Sequence, residues 1–351
     1  MTDLTTSKID LLSFDIAELT ELLQTKGQPA YRAKSIFKWM HQGVGFESMS
    51  DQPARLRKEL EDECCLAIPT IRRRLVSKLD GTVKYLFELA DGCCIESVFM
   101  RYEHGNTVCL SSQAGCRMGC RFCASHIGGF ERSLRPSEML GQVIAASRDT
   151  GERVDNLVLM GIGEPLDNYD NVLKFLRLVT AEGGLNIGAR HISLSTCGIV
   201  PNIDRLAGEG LQITLSVSLH AASDEKRSEI MPVNRKWGVD ELLAACRRYF
   251  ERTGRRISFE YALIDGVNDN RHEALSLAAV LRKHLGKMPI HVNLIPVNEV
   301  KESGFSKSSR EQVDAFVKTL KEKGINATVR RKLGGDINAS CGQLRMNEKS
   351  L

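Results

Sequence analysis

From residue 107 onward the chain alternates short strand-like runs with amphipathic helical stretches, and nothing else in the sequence constrains the fold as tightly. Strands are expected at 107–111, 156–160, 191–195, 213–219, 257–263, 290–295 and 327–331. Helices are expected between them, for example at 136–147, 239–252, 272–283 and 309–323. Parallel neighbours need a crossover between them, so repeated βα units specify a parallel sheet, barrel-like or doubly wound. Such sheets carry their active sites on loops at the C-terminal ends of the strands.

The preceding residues follow other periods. Asp15 is placed to cap a helix whose apolar stripe is Ile16, Leu19, Leu22 and Leu23. A second helix carries Ile36, Phe37 and Met40 and ends near Gly43, and a third follows Pro53 with Leu56 and Leu60 on one face. The period then changes to two. Val83, Tyr85, Phe87 and Leu89 alternate between the turn dipeptides Asp80-Gly81 and Asp91-Gly92, and strands follow at 94–100 and 107–111. The expected organisation is a helical module over 1–70, an antiparallel β linker over 71–106, an α/β core over 107–332 and a tail over 333–351.

No apolar run approaches the roughly 20 residues that span a bilayer. The start, MTDLTTSKID, lacks the basic and apolar regions of a signal peptide. A cytoplasmic protein is expected, where thiols stay reduced, and eleven cysteines there argue for metal or redox chemistry over disulfides. A net charge of +4 permits a nucleic-acid partner without demanding one.

Cys116, Cys120 and Cys123 form a C-x3-C-x2-C loop just past the 107–111 strand. Three such thiolates suit three corners of an iron–sulfur cluster, which normally takes four. No fourth cysteine is spaced to join them, so one iron is left open to a small molecule. A zinc knuckle is the competing reading, with His126 the only near fourth ligand. Gly161-Ile162-Gly163-Glu164-Pro165 follows the next strand. Its glycines admit close ligand approach, and Glu164 suits a cationic amino group. Ser195, Ser218, Leu219 and His220 end later strands, where they are either backbone-satisfying groups or ligand contacts. Cys341 sits in a small, polar tail segment after the last βα unit, and Cys109 lies seven residues before the cluster loop. Arg72-Arg73-Arg74 and Arg330-Arg331-Lys332 are short basic runs, either solvated faces or phosphate contacts.

The cysteine spacing resembles that of the radical S-adenosylmethionine (SAM) enzymes. More narrowly, Thr107-Val-Cys109-Leu-Ser-Ser-Gln113, Met-Gly-Ile-Gly-Glu-Pro, Ser218-Leu219-His220-Ala, Asn293-Leu-Ile-Pro-Val-Asn298 and Asp336-Ile-Asn-Ala-Ser-Cys341-Gly-Gln-Leu look like the RlmN family. The likeness also takes in the N-terminal module, where Gln28-Pro-Ala-Tyr31-Arg32 leads into Lys38-Trp39-Met40.

That resemblance implies a partial (β/α)6 TIM-like radical SAM barrel with a small N-terminal helical domain and a short antiparallel linker. It implies a [4Fe-4S] cluster on Cys116, Cys120 and Cys123 and two SAM molecules per turnover. The implied activity is methylation of carbon 2 of an adenine in 23S rRNA and of the adenine next to the anticodon in certain tRNAs. Cys341 would carry the methyl group, Cys109 would resolve the covalent intermediate through a transient disulfide, and Glu96 would accept a proton. Gly163, Glu164, Ser195, Ser218, Leu219, His220 and Asn298 would bind SAM. The implied partners are RNA and an electron donor such as flavodoxin or ferredoxin, with no membrane and a monomeric enzyme. Two alternatives stand beside this: a Cfr-like carbon-8 methyltransferase, and a non-catalytic RNA-binding iron–sulfur protein. Ser340 departs from the alanine common in the family.

Overall fold

A computed structural model of the chain describes residues 8–297, 304–337 and 339. The N-terminal module is three helices, α1 (Ile16–Thr25), α2 (Arg32–His41) and α3 (Ala54–Glu63). Asp15 caps α1 as its sequence predicts. Its Oδ1 accepts from the Glu18 N–H at 2.9 Å, and Glu18 Oε2 accepts from the Asp15 N–H at 2.9 Å.

Ten strands then form one sheet in which spatial order equals chain order: β1 (Thr70–Val76), β2 (Val83–Glu88), β3 (Cys94–Tyr102), β4 (Gly105–Cys109), β5 (Asn156–Leu159), β6 (Ile192–Thr196), β7 (Thr214–Ser218), β8 (Ile257–Leu263), β9 (Ile290–Pro296) and β10 (Asn326–Val329). The first four pair antiparallel, and β4 to β10 pair parallel. The crossovers carry α4 (Pro136–Thr150), α5 (Tyr169–Thr180), α6 (Val200–Ala207), α7 (Asp224–Ile230), α8 (Val239–Thr253), α9 (Arg271–Leu285) and α10 (Arg310–Glu322). The expected linker is therefore the antiparallel continuation of the barrel sheet.

Alternation along each parallel strand separates two environments. Leu194, Leu215, Val217, Phe259, Tyr261, Val292 and Leu294 are fully buried in a single core that runs from Leu11 in the helical module to Ala327. Tyr261 stacks at 5.2 Å on Phe316 of α10, which marks that face as the helix side. The opposite face is polar. Ser258 contacts His291 Nδ1 at 2.9 Å and donates to Glu260 at 3.2 Å. Asn293 donates to Glu260 at 2.7 Å, and His291 Nε2 meets Thr328 at 3.0 Å. A closed eight-stranded barrel fills its interior with layers of branched apolar side chains. This interior is hydrogen-bonded and open, and residues from β3 to β9 line one cavity of about 400 Å³.

After β10 the chain crosses to the first hairpin. The Gly334 N–H donates to Asp80 at 2.8 Å, while Ser77 Oγ and the Lys78 N–H donate to Asp336 at 2.7 and 2.8 Å. These bonds tie the last strand to the turn joining β1 and β2, across the open side of the sheet. No helix of the described residues is long and apolar enough to cross a membrane.

Candidate functional site

The cavity opens at the C-terminal ends of the parallel strands, where the βα rule places function. Its wall includes Cys109, Cys116, Cys120, Cys123, Gly161, Gly163, Glu164, Ser195, Ser218 and His220. The structure thus gathers ten residues singled out from sequence. Asn298 and Cys341 lie outside the described residues. Leu219 contributes backbone only: its side chain is buried in the core and its N–H donates to the Glu260 carbonyl at 3.0 Å.

The cysteine loop leaves and re-enters through a narrow neck. Gln113–Ala114 pairs antiparallel with Arg132–Ser133 at its base. Gly115 has φ +86°, and a Cβ there would lie 1.8 Å from the Gly129 carbonyl oxygen, so only glycine closes the neck. Two clamps fix the loop on its neighbours. Arg117 grips Asp167 through two bonds of 2.8 and 2.6 Å, and the Arg121 N–H donates to the Ile230 carbonyl at 2.9 Å. Burial pushes the Cys116 thiol up to about 12 and the Cys120 thiol well above its ordinary value. Uncomplexed, both are neutral thiols, and metal binding would displace their protons.

The donor set fits an iron–sulfur cluster. Three thiols face one cavity with no carboxylate interleaved in their loop. Among the described residues no three His, Cys, Asp or Glu side chains converge on a single-ion position. A four-iron cluster ties each thiolate to a different iron and needs them farther apart than that. His126, the fourth ligand of the zinc alternative, turns Nδ1 toward the Cys123 carbonyl at 2.5 Å.

The Gly-Glu-Pro loop is held against the cysteine loop by Gln113. Its Oε1 accepts from the Glu164 N–H at 2.9 Å and its Nε2 donates to Asp167 at 2.8 Å. Gly163 has φ +107°, and a Cβ there would sit 2.6 Å from the Gln113 Cβ. The Glu164 carboxylate is buried and accepts from the Cys197 and Leu166 N–H groups at 2.7 and 3.0 Å. Burial pushes its carboxyl up, against those hydrogen bonds.

His220 adopts φ +60°, a left-handed conformation that histidine visits more readily than most residues. Its Nδ1 accepts from the Ala262 N–H at 2.9 Å, so the neutral ring carries its proton on Nε2. Burial, reinforced by the Arg227 cation, pushes the imidazole down to about 3. The ring meets Phe122 of the cysteine loop edge-on at 4.8 Å. His220 is thus a permanently neutral donor on the cavity wall.

Cys109 is buried in a small apolar cluster with Val98 and Met100, packed against Met160, Leu333 and Ala339. Glu96 lies on the same face of β3 as Val98 and Met100, buried, with the Lys84 ammonium at 3.0 Å. The two basic runs part ways. Arg330, Arg331 and Lys332 line the cavity. Arg72 and Arg74 pair with Glu88 and Asp149 on the edge strand, at 3.7 and 2.6 Å.

Sequence reading passed over four groups here. Cys197 was expected to be incidental but lines the cavity. Lys84 stood on the unread face of β2, and Arg227 in a short charged helix. Glu260 had a legible signal: one carboxylate in the otherwise apolar run ISFEYAL.

Two family models match the chain: the radical SAM superfamily over residues 110–278, and the ribosomal RNA large subunit methyltransferase N-terminal domain over residues 9–66. The chain is 51% identical over 338 residues to a probable dual-specificity RNA methyltransferase RlmN of Clostridium perfringens, covering 96% of each. It is 52% identical over 340 residues to one from Pelotomaculum thermopropionicum, covering 96% of this chain and 92% of that one. A radical SAM methyltransferase from Sphaerobacter thermophilus superposes with a TM-score of 0.90 at 44% identity, over 95% of this chain and 98% of that one.

Proposed function

Because the chain belongs to the RlmN family of radical SAM RNA methyltransferases, we propose that it methylates carbon 2 of adenine in 23S rRNA and tRNA, with the methyl group carried on Cys341. The observation that carries this reading is the course of the tail. Residues 334–336 are fastened to the β1–β2 turn, and Ala339 packs on the wall that holds Cys109. Cys341 follows two residues later, and two residues of chain span at most about 7 Å. A cysteine so tethered suits a thiol that works in the same cavity as the cluster loop.

A cluster on Cys116, Cys120 and Cys123, reduced by a flavodoxin- or ferredoxin-type donor, supplies the one-electron cleavage of SAM that generates a carbon radical. The chain's own residues do the rest. The Cys341 thiolate displaces the methyl group of one SAM and holds it as a thioether, the C–S bond of the sulfonium breaking as the new one forms. Glu164, Ser195, Ser218, the neutral His220 and Asn298 hold the second SAM. Hydrogen abstraction from the thioether methyl leaves a carbon radical that adds to adenine, which polar methyl transfer could not achieve at so weakly nucleophilic a carbon. Glu96 accepts the proton lost from the adduct. Cys109 then attacks the Cys341 sulfur, and the disulfide releases the methylated base. Arg330, Arg331 and Lys332 at the cavity suit the phosphates of an unstacked adenine.

Anaerobic incubation of the iron-loaded protein with labelled SAM, a reductant and protein-free 23S rRNA tests the proposal. Nucleoside mass spectrometry should find 2-methyladenosine. 8-Methyladenosine in its place overturns the position, and unmodified RNA from protein with full iron overturns the activity.

A further inference from the structure

Arg227 is the largest fully buried side chain among the described residues, and it reaches no carboxylate. Every one of its hydrogen bonds ends on a neutral oxygen. Nε donates to the Leu219 carbonyl at 3.0 Å. Nη1 donates to Asn234 Oδ1 at 2.9 Å. Nη2 donates to the carbonyls of Cys197 and Ser218, at 2.6 and 3.0 Å. Two carboxylates lie one step further out and are already engaged. Glu164 accepts from the Cys197 N–H, and Asp224 Oδ1 accepts from Asn234 and from the Val239 N–H.

A guanidinium cannot shed its proton in a protein, and a buried charge without a counter-ion is costly. Burial without a carboxylate partner depresses the Arg227 group. Carbonyl dipoles solvate the cation but leave its charge unbalanced. The compensating negative charge must come from nearby, and the nearby groups are thiols. Arg227 acts electrostatically on Cys120 and Cys197. It rides on α7, whose last carbonyl, that of Ile230, accepts from the Arg121 N–H beside Cys120. The cysteine loop therefore sits directly on the helix that carries the cation. The same guanidinium joins the loop after β6 to the end of β7, and so sets the backbone on which Ser218 and His220 are mounted.

We infer that Arg227 is the internal counter-charge of the cluster: it makes the thiolate-bound cluster easier to reduce and holds the strand ends that face its open iron. The inference rests on a cluster being bound at the three thiols. Reduction adds one negative charge to a site already negative from its thiolates. A fixed cation at short range in a poorly screened interior stabilises the reduced form more than the oxidised one, and cluster potentials respond to net charge and hydrogen bonding around the sulfurs. Removing the cation lowers the potential. Keeping a cation of different shape largely preserves the potential but loosens the strand ends.

Three substitutions separate charge from shape. Arg227→Gln removes the cation. Arg227→Lys keeps it without the fork. Asn234→Asp leaves Arg227 in place and gives it a carboxylate partner at the atom it already contacts. The measurement is the midpoint potential of the anaerobically reconstituted, SAM-free holoprotein, from a redox titration followed by electron paramagnetic resonance, with iron content checked for each protein. Arg227→Gln and Asn234→Asp are expected to lower the fraction reduced at a fixed poise at least tenfold, equivalent to 59 mV for one electron. Arg227→Lys should stay within threefold of wild type, with weaker SAM affinity. If one of the two charge-removing variants does not fold, the other decides. A less than twofold change in a variant with full iron overturns the inference, as does a lysine variant that falls as far as glutamine. Wild-type protein that takes up no iron sinks the cluster reading itself, an outcome distinct from both.

Discussion

His220→Asn isolates the energetic consequence of a histidine held neutral. Asparagine tolerates the φ of +60° and its Oδ1 can replace Nδ1 as acceptor for the Ala262 N–H, so the substitution removes titration and little else. In the unfolded chain this histidine titrates near 6.5; in the folded chain burial pushes it down to about 3. A depressed folded value means that the unfolded chain binds the proton more tightly. The stability it contributes is complete above pH 6.5 and is lost as the pH falls toward 3. At about 1.4 kcal/mol per pH unit, His220 alone costs about 2 kcal/mol between pH 8 and pH 5 and about 3 kcal/mol by pH 4. His41, buried and pushed down to about 4, adds a similar acid loss, as do other groups, but these are common to both chains and cancel in the difference. The assay is urea unfolding of the cluster-free wild type and variant from pH 8 to pH 4. The wild type should lose about 2 kcal/mol more than the variant by pH 5. Parallel pH profiles, or a His220 ring resonance that titrates near 6.5 in labelled protein, would refute the reasoning.

Other outcomes follow from the same geometry. Gly163→Ala forces a side chain into a glycine-only conformation against Gln113, so the cluster-free chain should lose about 2–4 kcal/mol in urea unfolding and bind SAM poorly; a fully stable variant refutes the close contact. Cys341→Ala should keep about four irons per chain and yet release no methylated RNA, and full turnover would end the covalent mechanism. Asp336→Ala frees the tail from Ser77 and Lys78, so methyl transfer should fall while iron content and Tm match wild type; undiminished activity refutes the fastening role.

The parallel strands were legible because strands covered by helices read as short apolar runs between turn signals, and the cysteine loop because its spacing is short-range. What escaped notice was burial that depends on closure. Lys84 reads as a solvent-facing residue of a half-buried strand, yet β2 and β3 curl round the cavity and leave it with no exposure. Arg227 sits in DEKRSEI, where a charged one-sided helix predicts solvent. Its burial comes from α7 resting on the ends of β6 and β7, a contact between residues far apart in the chain. The linker expected over 71–106 was correct in its antiparallel pairing, and local alternation could not reveal that its hydrogen bonds continue into the barrel sheet.

The bonds from Gly334 and Asp336 to the β1–β2 turn also bear on synthesis. Strands that lie in chain order can be added to the growing sheet as they emerge, each beside its predecessor, without waiting for a distant partner. Only the final fastening joins the end of the chain to its first hairpin. A nascent chain can thus hold a nearly finished sheet while its open side is still unfastened. Complete translation, more than folding of the sheet, becomes the step that turns this chain into a working enzyme.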